Sequence, residues 1–313
     1  MKKRYIYFSV ACILLLLFQN LILSSYRNSE DQIYRKQFNK QYGIFSLVQP
    51  EEISFCDERL PISDNHTWER LDKQLLRNTY FQSNTLLYLK RAGKYFPIIE
   101  PILRKNNIPD DFKYLAVIES GLENVVSPSG ASGFWQIMEV TAQEYGLEIN
   151  EEVDERYHLE KSTKAACKYL LEAYDIFGSW TMVAASYNMG KTGLKKQSEK
   201  QQSNNYYNLH LNSETGAYIF RILAIKEILQ NPRKYGFYIR DKDFYILNKV
   251  KKISLKKDNV DLIKYSKELG VNYKLLKTYN PWLRKDYLTN PKNKEYKIQI
   301  PESTKGLVFK EIK

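Results

Sequence analysis

The segment STKAACKYLLEAYDIFGSW, residues 162–180, repeats its apolar side chains at three- and four-residue spacing. Ala165, Ala166, Tyr169, Leu170, Ala173, Tyr174 and Phe177 fall on one helix face, and a stripe of that kind has to be buried against other elements. Gly178 supplies the stop, since a helix ends most easily on a residue that tolerates the left-handed conformation. The same periodicity predicts helices over 139–146, 181–188 and 214–230. One or two more run from Leu71 to Leu89 and end at Tyr95-Phe96-Pro97, where proline removes a helical donor. Pro101 then opens a short helix, and Asn107-Ile108-Pro109-Asp110 resets the chain with Asp110 as the next cap. The chain reads as mainly α.

The pattern changes near residue 245. YILNKVKKISL and KEYKIQIP have the alternation of strands, and DLIKYSKELG and YKLLKTYN between them have the spacing of short helices. Residues 245–303 therefore form a small β-α-α-β unit. At the other end, Met1-Lys2-Lys3-Arg4 precedes the run YIYFSVACILLLLF. Residues 1–24 thus read as a secretory signal or an N-terminal membrane anchor, close to the roughly 20 residues that span a bilayer. Residues 25–60, polar and rich in Gln, Asn and Lys, read as a tether to a main domain over 61–240. The expected location is the cell envelope, outside the cytoplasm, with the membrane as a partner if the first segment is retained.

Composition adds limits. Tyr occurs 25 times in 313 residues, and Tyr stacks on sugar rings while its hydroxyl bonds to theirs, or else replaces Phe in a wet core. The net charge of +12 favours polyanions, but the lysines are scattered and no nucleic-acid module is visible, so no nucleic acid is expected. Cys56 and Cys167 are the cysteines outside the first segment, too few for a disulfide framework. The three His residues, His66, His158 and His210, lie far apart without metal-ligand spacing. Neither a metal nor another cofactor is expected.

The stretch DDFKYLAVIESGLENVVSPSGASGFWQIM, residues 110–138, carries the chemistry. Phe112, Leu115, Ala116 and Glu119 stand at i, i+3, i+4 and i+7 of a helix, so Glu119 points from the face that is buried. Burial disfavours the charged form of a carboxyl and keeps it protonated towards neutral pH. A glycosidic bond needs such a proton donor, because its leaving oxygen departs poorly as an anion. Gly121 ends the helix and leaves Glu119 at the lip of a cleft.

The run Glu119-Ser120, followed after a loop by Gly130-Ala131-Ser132-Gly133-Phe134-Trp135-Gln136, resembles the signature of the transglycosylase SLT domain. AASYNMG at 184–190 is similar to that family's Ala-x-Tyr-Asn-x-Gly element, and Glu214-Thr215-x-x-Tyr218 resembles its last motif. The likeness spans roughly 55–240 and departs from the pattern at Gly216, where Arg is usual, and at Glu139, where Pro is usual. It implies a lysozyme-like helical fold, with Glu119 as the catalytic acid. Ser120, Gly133, Gln136, Met138, Tyr187, Asn188, Glu214 and Tyr218 would bind or orient sugar. The resemblance further implies cleavage of peptidoglycan glycan strands between N-acetylmuramic acid and N-acetylglucosamine, closing a 1,6-anhydro ring. Two alternatives stay open: a goose-type lysozyme that hydrolyses the same bond, and an inactive wall-binding protein. The C-terminal unit resembles a LysM module through YNPWL (279–283) and the closing IQIP, without the usual Gly-Asp-Thr opening. It is either a degenerate sugar-binding module or a structural appendage.

Overall fold

The structure is a computed structural model that describes residues 44–303 and, before them, Leu15, Gln19, Gln32 and Ile33. The expected signal or anchor over 1–24 lies almost wholly outside the described residues. Among these, no helix is long and apolar enough to cross a membrane. The stretch expected as a tether joins the core well before residue 60. β1 (Ser54–Phe55) and β2 (Glu58–Arg59) form a hairpin that buries Ile53, Phe55 and Leu60. The apolar residues were there in the sequence, but too few and too scattered to show a period.

Helix α1 (Asn65–Tyr80) starts on Asp64, whose carboxylate accepts from the Thr67 backbone amide. Its neighbour α2 (Gln82–Lys105) corrects the expected break, because the helix runs straight through Pro97 and Pro101. Both prolines lie on the exposed side, where water can satisfy the carbonyls that lose their partners, while Leu89, Ala92, Ile99 and Leu103 stay buried opposite. Packing along that stripe outweighs two missing helical bonds. A 3-10 turn at Asp110–Phe112 then feeds α3 (Lys113–Ser120). Asp110 does not cap it with its side chain but pairs with Lys113.

The remaining helices follow the periodicity: α4 (Glu139–Glu144), α5 (Leu159–Phe177) and α6 (Trp180–Met189). α7 (Lys191–Gln201) went unforeseen because KTGLKKQSEKQ buries only Leu194 and Ser198 and shows no stripe. α8 (Ser213–Gln230) closes the bundle and is buried nearly all round, from Tyr218 through Ile228. On α5 the expected stripe holds at Ala165, Ala166, Leu170, Ala173 and Phe177, while Tyr174 is 37% exposed and stacks on Trp180 at 4.1 Å. Gly178 ends α5 at φ 63°, its amide bonded to the Tyr174 carbonyl.

The C-terminal unit has the expected order. β3 (Val250–Leu255) pairs antiparallel with β6 (Tyr296–Pro301), Val250 opposite Pro301 and Leu255 opposite Tyr296. Between them lie β4 (Val260–Asp261), α9 (Leu262–Glu268), α10 (Tyr273–Tyr279) and β5 (Tyr287–Leu288), with β4 and β5 forming a short second pair. Its core does not end at its own boundary, since Val153 and Tyr157 of the helical part are buried in the same cluster as Leu255, Trp282 and Ile298.

Candidate active site

Glu119 sits on the last turn of α3, half-buried, one residue before the helix ends at Gly121 with φ 62°. Phe112, Leu115 and Ala116 on the same face are fully buried, as the spacing requires. The Tyr218 hydroxyl donates to Glu119 Oε1, and Tyr218 itself is fully buried in α8. Burial raises the Glu119 carboxyl above the ordinary glutamate range. The Tyr218 bond and the Arg221 guanidinium oppose that rise, and the Glu214 carboxylate adds to it. Desolvation is the largest influence, so Glu119 holds its proton more tightly than a solvated glutamate does.

Tyr187 faces the same place from α6. The Glu119 charge helps to hold its phenol well above the usual range, second to burial. Its hydroxyl donates to the Trp135 carbonyl at 2.7 Å. The Ser120 hydroxyl reaches the carbonyls of Phe134 at 2.8 Å and Ala116 at 3.0 Å. Two side chains expected to face sugar therefore also bind the Gly130–Gln136 loop to the helices behind it. Gln136 braces the loop from within, its Nε2 donating to the carbonyls of Val125 at 3.0 Å and Gly133 at 2.8 Å, with its own backbone at φ 45°. The amide nitrogen expected for sugar is thus committed to the loop.

Gly133 is where the loop meets the chain beneath it. Its φ is 81°, and a Cβ there would lie 2.1 Å from the Arg156 carbonyl oxygen. Arg156 pairs with Asp154 in a buried ion pair at 2.7 Å and donates to the Gly130 carbonyl at 3.1 Å. Trp135, fully buried, donates from Nε1 to the Thr163 hydroxyl at 2.9 Å. Sequence reasoning gave no role to Arg156, since nothing local marks a residue that acts on a loop some twenty positions earlier.

The remaining candidates divide into two groups. Asn188 Nδ2 donates to Glu214 at 2.9 Å, and the Thr215 hydroxyl donates to Asn188 Oδ1 at 2.7 Å, so α6 and the start of α8 are tied together. Met138 stands just before α4, 46% exposed and open to a ligand. At Gly216 the departure from the family pattern is filled from elsewhere. Arg70 of α1 donates to the Gly216 carbonyl and lies 4.3 Å from the Phe220 ring centre. Arg221, one turn beyond Tyr218, is the charged neighbour of Glu119 that the sequence reading passed over; the i, i+3 spacing from Tyr218 would have found it.

Asp110 and Asp111 are engaged away from the site. Asp111 accepts from Lys226 at 2.7 Å and from the Cys56 amide at 2.7 Å. Among the described residues, Cys56 and Cys167 are free thiols, and burial pushes that of Cys167 up to about 12. Among the described residues no cluster of His, Cys, Asp and Glu is arranged to hold a metal.

An acid on a helix end, backed by the buried Tyr218, the partly buried Tyr187 and a glycine-bearing loop, within a helical domain followed by a β-α-α-β unit, defines a class. Residues 96–210 match the transglycosylase SLT domain family, and residues 251–304 match the soluble lytic transglycosylase C-terminal LysM-like domain. The chain thus carries an SLT domain with a LysM-like domain behind it. Over 218 residues it is 28% identical to membrane-bound lytic murein transglycosylase D of Escherichia coli strain K12, covering 68% of this chain and 47% of that protein. The same protein from a second Escherichia coli strain matches equally. This chain spans about half the length of those relatives. Among solved structures, the 70 kDa soluble lytic transglycosylase of Escherichia coli aligns with a TM-score of 0.41 and 20% identity, over 52% of this chain and 30% of that one.

Proposed function

We propose that the protein is a lytic transglycosylase that cuts peptidoglycan glycan strands in the cell envelope, with Glu119 serving as acid and then as base. The observation that carries this reading is the half-buried Glu119 carboxyl, raised above its ordinary range by burial and held by the Tyr218 hydroxyl. Glu119 gives its proton to the oxygen that links the muramic C1 to the next sugar, and the C1–O bond breaks. Positive charge develops on the muramic ring. The Glu119 carboxylate then takes the proton from the C6 hydroxyl as that oxygen bonds to C1, which closes the anhydro ring and restores the acid. No water is consumed, and no second carboxylate is required.

The other residues act on position. Ser120, Tyr187 and Gln136 hold the loop so that Gly133 and Met138 meet the sugar at fixed height. Asn188 and Glu214 line the far side, with Tyr218 setting the Glu119 rotamer. The N-terminal segment, if retained, would keep the enzyme at a membrane.

One observation favours a second reading. The Glu214 charge acts on Glu119, so a water activated by Glu214 would hydrolyse the bond as a goose-type lysozyme does. Mass spectrometry of digested sacculi separates the two. The transglycosylase gives muramic ends one water lighter than the hydrated sugar, and hydrated ends alone would overturn it. Glu119→Gln should lower kcat by about 100-fold or more, the usual contribution of general acid-base catalysis. Wild-type activity in that variant would remove Glu119 as the acid.

A further inference from the structure

Helix α6, which carries Tyr187 and Asn188, begins without a cap of its own. Ser179 stands at the N-cap position, yet its side chain makes no capping bond. The cap comes from Glu58 of β2, 121 positions earlier than Ser179 in the chain. Glu58 Oε1 accepts from the Trp180 amide at 2.5 Å. Its Oε2 accepts from the Thr181 amide at 2.9 Å, the Thr181 hydroxyl at 2.7 Å and the Ser179 hydroxyl at 2.9 Å. A carboxylate there satisfies free helical amides and meets the positive end of the helix dipole. The hairpin precedes residue 96, where the SLT match begins, so that match assigns it nothing.

The same hairpin grips the other two helices of the site. The Cys56 amide donates at 2.7 Å to Asp111, just ahead of α3. Lys226 of α8 donates to that carboxylate at 2.7 Å and to the Ser54 carbonyl at 2.8 Å. The Phe55 ring meets Phe112 edge-on at 5.1 Å, and Phe112 meets Trp180 at 5.4 Å. Phe112 shares a helix face with Glu119, and Trp180 lies seven residues before Tyr187 on α6. The turn between the strands holds Cys56 at φ 51° and Asp57 at φ 65°, a conformation that Asn-Gly usually supplies. Residues of that kind stay at positive φ where their surroundings hold them. Here the Asp111 bond and the Glu58 bonds flank the turn on either side.

We propose that Glu58 is a positioning residue of the Glu119 site, and that its hairpin fixes α3, α6 and α8 relative to one another. The inference rests on the glycan-cleaving reading above. α3 brings Glu119, α6 brings Tyr187 and Asn188, and α8 brings Glu214 and Tyr218, so all three elements of the site meet at one clamp. A short helix moves as a rod, and Tyr187 lies about 10 Å along the axis from Trp180. A shift at the start of α6 therefore reaches the Tyr187 hydroxyl on the Trp135 carbonyl and the Asn188 amide on Glu214. It would also open the Tyr187 side of Glu119 to water. Glu58 touches no substrate and acts through α6.

The test measures strand-cleavage kinetics and the carbon-13 titration of Glu119 in the full chain. Glu58→Ala should lower kcat about 10- to 100-fold, the loss that a misplacement of about 1 Å brings, with the smaller change in KM. The Glu119 midpoint should fall towards the ordinary glutamate range as water enters. Glu58→Gln keeps an oxygen for the Trp180 amide and an NH2 group for the two hydroxyls, so it should restore most of kcat. Asp64→Ala removes a side-chain cap from α1, which carries no residue of the site, and should lower Tm without moving kcat or the midpoint. Should Glu58→Ala fail to fold, Thr181→Val removes one bond to Glu58 and should show the same changes in smaller measure. Wild-type kcat and midpoint in Glu58→Ala, or in Thr181→Val where the first does not fold, would overturn the proposal. Losses in Asp64→Ala equal to those in Glu58→Ala would overturn it too, since stability alone would then explain both. If the wild-type protein cleaves no strands, the glycan-cleaving reading fails, and the midpoint comparison alone decides the role of Glu58.

Discussion

Glu119 owes its surroundings to the run from Phe112, which buries every side chain on its face except the last. That much was legible in the sequence, because helical spacing alone places the carboxyl against apolar neighbours. The use of Ser120 and Gln136 was not legible. Both are polar residues beside an acid, and only the fold reveals that they bond to the loop backbone at Phe134, Val125 and Gly133. Gly133 was expected to let backbone approach a sugar. Its demand is more immediate, since a methyl group there would collide with the Arg156 carbonyl at a φ of 81°. Gly133→Ala should therefore cost at least about 1–3 kcal/mol for the backbone conformation alone. It should also lower kcat as the loop shifts. Thermal melts and strand-cleavage rates check both, and a variant as stable and active as wild type would show the loop to be free of that contact.

Helices that advertise a period were placed correctly, such as α5, α6 and α8, and the two helices that were misread are those where period and local chemistry disagree. In α2 the prolines argued for a break, but they face solvent and the buried stripe continues beneath them. In α7 the polar composition hid a helix that covers the bundle with Leu194 alone among its apolar residues buried. The loop between α3 and α4 has its own support in the Asp154–Arg156 pair, with both side chains about nine-tenths buried. Breaking a buried pair from one side leaves a charge without compensation, which typically costs about 3–5 kcal/mol. Arg156→Leu should thus lose stability on that order in urea titrations. Adding Asp154→Asn to it should recover a large part of the loss. Equal instability of the single and double variants would mean that Arg156 acts through its bonds to the Gly130 and Ile137 carbonyls and not through its charge.

Across the described residues, the LysM-like unit is built into the helical domain. The Trp282 carbonyl accepts from the Asp154 amide at 2.8 Å, the Glu152 carbonyl accepts from the Arg284 amide at 2.6 Å, and Lys252 pairs with Glu160 at 2.8 Å. Trp282, within the YNPWL motif that carries the LysM resemblance, is 3% exposed and stacks on Tyr296 at 5.7 Å. These contacts fall on the segment that also carries Asp154 and Arg156, so the C-terminal domain braces the loop behind Glu119. No periodicity announces such a contact between distant segments, and the sequence left the module's role open for that reason. The assembly as a whole bears the cost of a desolvated acid. The folded state holds the Glu119 proton more tightly than the unfolded chain, so this stabilising contribution is complete below the ordinary glutamate range and is lost as pH rises through the folded value. Glu119→Gln should accordingly gain stability over wild type as pH increases from acid to neutral. The central claim is that the carboxyl itself keeps its proton, and the direct measurement is its titration by carbon-13 NMR, assigned by the signal missing in Glu119→Gln. A midpoint above the ordinary glutamate range is the predicted result; a midpoint at or below that range would contradict the account.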